Sequence, residues 1–169
     1  MLPDLQLPVV LSSRGEEVVL RRVTVTDLSA LMSLLSDDAI SAARGDRGDD
    51  ADVETYGGAL RSVLDAPLND LLAVEAADGT VVGTLQLTVI PGMARRGATR
   101  MLVEAVRVAS SARSGGIGSA VMRWVMHVAA PATGATLVQL TSDAARVDAH
   151  RFYTRLGFAD SHIGFKYAL

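Results

Sequence analysis

The chain has 169 residues, enough for a single domain, 1–169, with an ordinary core. Apolar residues make up 49% and aromatics 4%, which excludes disorder and leaves Val, Leu, Ala and Met to build the core. A net charge of −3 gives no global pull toward nucleic acid, and the lack of Cys excludes disulfides, thiolate metal sites and a Cys nucleophile.

No apolar run approaches the ~20 residues of a membrane span. The opening "MLPDLQLPVVLSSRGEE" lacks the basic start and A-x-A site of a secretory signal. The expected location is the cytoplasm, with no membrane partner.

In chain order, "EVVLRRVTV" (17–25) is rich in β-branched residues and predicts a first strand. "TDLSALMSLLSD" predicts a short helix with Thr26 as N-cap, Asp27 in its first turn, and Leu28, Leu31, Met32, Leu34 and Leu35 as its apolar stripe. The stretch to Asp52 reads as a loop. It holds Asp37, Asp38, Asp46, Asp49, Asp50 and Asp52, followed by Glu54, against only Arg44 and Arg47. "DVETYGGALRSVLDA" reads as a second helix, and Pro67 limits its end.

The period then changes. "NDLLAVEA" and "TVVGTLQLTVI" predict strands joined around "ADGT", and "TRMLVEAVRV" (99–108) predicts another. Residues 116–130, "GIGSAVMRWVMHVAA", carry a strong helix pattern closed by Pro131 and Gly134. "ATLVQLTS" is nearly continuous in apolar residues, as expected of a strand buried on both faces. "AARVDAHRFYTRL" predicts the last helix, with Gly157 at its C′ position, and "FADSHIGFKYAL" a final strand or hairpin. The order β-α-α-β-β-β-α-β-α-β predicts an α/β (α+β) fold with a mixed sheet.

"RSGGIG", residues 113–118, lies between a strand and a helix. The first helical N–H groups lack internal partners, and glycine lets an anion approach them. A turn that merely needs positive φ is the other reading. Without Lys this is no P-loop. A dinucleotide fingerprint would use Gly116 and Gly118 but meets Val121 at its third glycine, with Asp143 as the ribose acid.

Arg113, Gly116 and Gly118 also satisfy (Gln or Arg)-x-x-Gly-x-(Gly or Ala), and "AHRFYTRLGF" (149–158) satisfies A-x-x-F-Y-x-x-x-G-F. In these two motifs, in this order, the chain resembles the GNAT superfamily of acyl-CoA-dependent N-acyltransferases. The resemblance is clear over 100–169 and rests on element order before that.

It implies a GNAT-like sheet, mostly antiparallel, with splayed central strands. It implies acetyl-CoA as cosubstrate, its pantetheine along the backbone of Val106, Arg107 and Val108. The pyrophosphate would sit on the N–H groups of Ser114, Gly115, Gly116, Ile117, Gly118 and Ser119, with Arg113 adding charge. It implies Tyr153 as the acid that protonates the departing thiolate; a phenol, ordinarily titrating near pH ~10, is protonated at neutral pH.

The attacking amine must lose a proton, and Glu104 or a water on it is the candidate base. On a regular strand Glu104 shares a face with Val106 and Val108; an expected β-bulge would break that parity. Backbone N–H groups near Val106 are candidates for the oxyanion. Ser142 stands where some members place an Asn that touches the cofactor. His127, His150 and His162 are scattered, no metal-ligand cluster is visible, and no metal is expected.

The acceptor is expected to be the amine of a small molecule or peptide. The acidic segment suggests a cationic one, although a solvated loop would look the same. A homodimer is implied by the resemblance alone. An acyl-CoA-binding sensor or partner-binding module without activity is the alternative.

Overall fold

The structure is a computed structural model that describes residues 2–37, 39–43, 45–46 and 48–169. Asp38, Arg44 and Arg47 of the acidic segment lie outside the described residues.

Six strands form one sheet in the order β1-β2-β3-β4-β5-β6. β1 (Val9–Ser13), β2 (Glu16–Arg22), β3 (Asn69–Glu75), β4 (Val81–Ile90) and β5 (Arg100–Val108) are successive antiparallel neighbours. β6 (Leu137–Leu140) pairs in parallel with β5. The sheet is therefore mixed and mostly antiparallel, as expected.

β1 is an addition to the expected elements. Ser13 pairs with Glu16 across Arg14 and Gly15, whose φ values are 38° and 96°. A two-residue hairpin loop with both central residues at positive φ matches the natural twist of the strands.

Helices cover both faces. α1 (Leu28–Ser36), α2 (Ala39–Ala43) and α3 (Val53–Leu64) lie in the first half. The second half holds α4 (Ile117–Trp124) and α5 (Val147–Arg155). α2 falls where a loop was expected.

α4 runs on through a π turn at Val125–Ala129 into Ala130–Ala132, so Pro131 lies inside the last turn rather than beyond it. The wider π turn relaxes the pairing that proline, without an N–H, would otherwise break.

Strand alternation divides the core. Leu20, Leu72, Leu85, Leu87 and Met101 face Val121, Met122 and Val125 of the α4 run, and all of them are buried. Burying one such side chain contributes about 1.5–3 kcal/mol. On the opposite face Ala73 meets Leu31 of α1 and Leu60 of α3.

The entry to α1 also differs from expectation. Thr24, not Thr26, caps a 3-10 turn at Val25–Asp27, in a capping box with Asp27, and α1 follows directly. The Asp27 carboxylate accepts the Thr24 N–H at 2.8 Å and both Arg21 Nη atoms at 2.9 Å.

The last third is less covered than its sequence predicts. From Pro131 to Leu169 no residue is buried. β6, expected to be buried on both faces, is half-exposed. Residues 158–169 form neither the expected strand nor a hairpin.

Candidate active site

The site is built around a gap in the sheet. β5 and β6 pair only from Arg100↔Leu137 to Val103↔Leu140. β6 then ends while β5 continues to Val108. The β5 edge beyond Val103 therefore has no strand beside it.

The expected bulge lies in this stretch. Gln86 pairs with Glu104 and Thr84 with Arg107, so two steps on β4 oppose three on β5. Ala105 absorbs the extra residue at φ 49°. The bulge resets the alternation. Val106 and Val108 pack against the α4-side core. Glu104 and Arg107 face the side of α1 and α3 with their β4 partners, which line a cavity there. The parity drawn for a regular strand is thus corrected: Glu104 does not share a face with Val106 and Val108.

That cavity, of about 200 Å³, lies between α1, α3 and the sheet. Leu28, Leu31, Tyr56 and Leu60 supply helix walls, and Thr84, Gln86 and Ala105 the floor. A shallower groove of about 610 Å³ runs along α5 past Val147, His150 and Arg151 and touches none of the groups at the gap.

The glycine turn is held from outside. Ser13 Oγ donates to the Gly115 carbonyl at 2.6 Å, and Arg14 Nη1 donates to the Ser114 carbonyl at 3.0 Å. With these carbonyls fixed, Ser114 (φ 68°) and Gly116 (φ 89°) turn the chain into α4. The first helical bond is Ala120 N–H to Gly116 C=O at 3.0 Å. Among the described residues, none of the N–H groups from Ser114 to Ser119 donates to a backbone carbonyl outside a helix. N–H groups at a helix start that lack partners within the helix suit an anion.

The glycines have separate reasons. At Gly116 a Cβ would lie 3.0 Å from Ser13 Oγ, on a backbone that L-residues avoid. At Gly118 it would lie 3.4 Å from Phe152 Cζ and 3.8 Å from Val108 Cγ2, so this glycine brings α4 close to α5 and β5.

Arg113 is placed differently from the expected phosphate contact. Its Nε donates to the Val108 carbonyl at 3.0 Å, and its Nη2 to the Asp37 carbonyl at 3.0 Å. Asp37 Oδ2 in turn accepts the Ser110 N–H. Arg113 and Asp37 therefore brace the turn between β5 and α4.

Tyr153 lies on α5, half-buried, between Phe152 (ring centroids 5.0 Å) and Phe158 (5.8 Å), both edge-on. Burial pushes its phenol above the ordinary value, and Arg107 and Arg146 pull it back in part.

These two arginines were not foreseen as a pair. Arg107 Nη2 from β5 and Arg146 Nη2 from the start of α5 both donate to Ser41 Oγ of α2, each at 3.0 Å. Ser41 is fully buried. The only sequence signal was Arg107's place on the motif strand; Ser41 and Arg146 stand 66 and 105 residues from their partners in these bonds.

Other candidates fall outside this cluster. Glu104 is exposed. His150 Nε2 bonds the Asp143 carbonyl at 2.8 Å, and His162 bonds Ser161 at 2.8 Å. His127 is exposed on the π turn, and Ser142 is half-exposed.

The profile of the acetyltransferase (GNAT) family matches residues 31–158, most of the chain and all of this site but the Ser13–Arg14 turn. The chain belongs to the GNAT acetyltransferases. A solved structure of a transcriptional regulator from Bacillus halodurans C-125 superimposes on this GNAT chain with a TM-score of 0.84 at 35% identity, covering 90% of this chain and 99% of that one. Glucosamine-6-phosphate N-acetyltransferase from Arabidopsis thaliana shares the fold, with a TM-score of 0.70 at 16% identity over 89% of this chain and 97% of that one. An aminoalkylphosphonate N-acetyltransferase of Salmonella typhimurium is 45% identical over 53 residues, 31% of this chain and 34% of that enzyme. The matched segment thus spans about a third of that relative. As a GNAT acetyltransferase the chain belongs to a family that uses acetyl-CoA.

Proposed function

We propose that this protein transfers the acetyl group of acetyl-CoA to the primary amine of a small molecule that also carries an acidic group. The observation that carries this reading is the convergence of Arg107 and Arg146 on Ser41, beside the Tyr153 phenol. Both guanidinium groups bring positive charge near the phenol, and a planar donor fork holds an anion well. The Salmonella relative, by its name, acts on an aminoalkylphosphonate, which combines amine and acid.

Acetyl-CoA supplies a thioester carbonyl open to attack by an amine. The chain's residues divide the remaining work. The N–H groups from Ser114 to Ser119 fit a pyrophosphate, and the free β5 edge at Val106–Val108 offers backbone to the pantetheine arm. The Tyr153 hydroxyl gives its proton to the departing sulfur. Glu104, on the acceptor side of β5, takes the amine's proton directly or through a water. The backbone N–H near Val106 stabilises charge on the carbonyl oxygen.

Gly116→Ala tests the cradle. It is expected to cost about 1–2 kcal/mol of stability, from forced positive φ and the crowded Ser13 Oγ, and to weaken acetyl-CoA binding. Denaturant midpoint and calorimetric titration measure the two effects. A folded variant with wild-type affinity would show that the turn is only a turn.

The acceptor is tested by thiol release over a panel containing an aminoalkylphosphonate, an amino acid, a neutral alkylamine, a polyamine and a peptide. Acidic amines are expected to be the best substrates. Arg146→Gln should raise their KM about tenfold, one charge-assisted hydrogen bond, and leave that of the alkylamine unchanged. A preference for the polyamine would favour a second reading, a cationic acceptor drawn by Asp49, Asp50 and Asp52. The Asp49 and Asp50 side chains are exposed and that of Asp52 is half-exposed, whereas Asp37 is engaged with Arg113 and Asp46 with Tyr56. If no amine releases thiol, the sensor reading gains, and the Bacillus relative named as a regulator supports that alternative.

A further inference from the structure

Arg14 stands where its residue type is disfavoured. It is the first residue of the two-residue loop between β1 and β2, at φ 38°, with Gly15 at φ 96° behind it. Loops of this kind favour Asn-Gly, Asp-Gly or Gly-Gly, because a Cβ at positive φ is strained. Such strain persists where the surrounding structure uses the residue.

The side chain reaches the glycine turn before α4. Arg14 Nη1 donates to the Ser114 carbonyl, 100 residues away, at 3.0 Å. Its stem runs along Gly116: a Cβ on that glycine would lie 3.2 Å from Arg14 Cγ and 3.6 Å from Arg14 Cδ. Beside it Ser13 is buried and donates to the Gly115 carbonyl at 2.6 Å, which fixes the loop against the turn. Arg14 is exposed, and among the described residues no carboxylate pairs with it. A guanidinium carries several N–H donors in a planar fork, so one bond to a carbonyl leaves others for an anion.

The motif arginine is spent elsewhere. Arg113 donates to the Val108 and Asp37 carbonyls, and Asp37 Oδ2 lies 3.5 Å from its Nη2 and offsets its charge. The cation held on the glycine turn is Arg14, which lies outside the segment 31–158 that the family profile matches.

We propose that Arg14 is a phosphate-binding residue for the cosubstrate, its guanidinium held on the Ser114 carbonyl so that the remaining donors meet a phosphate of acetyl-CoA. The proposal rests on the reading of the glycine turn as the pyrophosphate cradle. Acetyl-CoA carries a pyrophosphate and a 3′-phosphate, and the same donor fork serves either. An arginine in place of the favoured Asn then exchanges hairpin stability for affinity.

Arg14→Asn measures that exchange, because it supplies the residue the loop favours and removes the charge. The denaturant midpoint is expected to stay level or rise. Calorimetric titration should show acetyl-CoA bound about tenfold more weakly, the loss of one charge-assisted hydrogen bond. Arg14→Lys, which keeps the charge without the fork, should lose less. S-acetylpantetheine, which has no phosphate, separates contact from positioning: its dissociation constant should be the same for wild type and Arg14→Asn. With 3′-dephospho-acetyl-CoA, a loss that persists assigns the pyrophosphate, and one that vanishes assigns the 3′-phosphate. Wild-type affinity for acetyl-CoA in Arg14→Asn, an equal loss with S-acetylpantetheine, or a lower midpoint beside the lost affinity would overturn the proposal. Gly116→Ala tells the two failures apart. If it binds weakly while Arg14→Asn binds normally, only the role of Arg14 falls; if both bind normally, the cradle falls with it. All of these are binding and stability measurements, so the identity of the acceptor does not enter.

Discussion

Tyr153→Phe is expected to lower kcat by about a hundredfold, with acetyl-CoA affinity and thermal stability close to wild type. Removing a positioned general acid costs about that much or more. Phenylalanine preserves both edge-on contacts, with Phe152 at 5.0 Å and Phe158 at 5.8 Å, so the helix keeps its packing. The pH profile separates the acid role from a purely structural one. Burial raises the phenol above its ordinary value, and Arg107 and Arg146 offset this in part. A raised acid remains a donor as pH climbs and is lost only above its own value. The wild-type kcat should therefore show no loss of the acid below about pH 10. A variant that matched wild type in kcat across that range would remove Tyr153 from the chemistry.

Asp27→Asn should have the largest effect on stability of any single polar substitution proposed here, about 2 kcal/mol at pH 7. Asp27 is 7% exposed and accepts from Arg21, from the Thr24 N–H and from the Thr24 hydroxyl. An amide keeps one acceptor and loses the charge that both Arg21 nitrogens meet. Arg21 retains Glu75 at 2.7 Å, which keeps the loss below that of stranding a buried charge.

The hydrogen bonds from Arg21 are the main reason the Asp27 carboxyl falls to about 2. A carboxyl held below its unfolded value stabilises the fold above that value, near ~4. The contribution is lost as pH falls from there through about 2. Urea midpoints should thus differ most at neutral pH and converge toward pH 2. A difference that stayed constant across that window would assign the loss to packing rather than charge.

What could be read before folding was local. The glycine turn, the Phe-Tyr helix and the element order all depend on neighbours within about ten residues, where periodicity and turn chemistry act. A bulge in β5 that breaks the parity of Glu104 with Val106 and Val108 was expected, but not its place at Ala105, which the pairing with β4 sets. β1 was missed because its five residues precede an Arg-Gly turn that lacks the usual Asn or Asp. Thr26 was the expected cap; Thr24 takes that place instead because Asp27, held by Arg21, closes the box with it.

Of the Ser41 cluster only Arg107 stood out, by its place on the motif strand, since three elements far apart in sequence supply it. The final segment is the reverse case. Its alternation reads as a strand, yet residues 158–169 pair with no strand in the structure.

The bond from Ser13 to Gly115 joins residues 102 apart and ties the first hairpin to the glycine turn. Opening that hairpin releases the two carbonyls that aim the turn, so the open form is a poor binder. By linkage, a ligand that selects the aimed turn must protect β1 and β2 by the same free energy that hairpin opening would cost its binding. The amino-terminal strands thereby share in the binding proposed for the glycine turn.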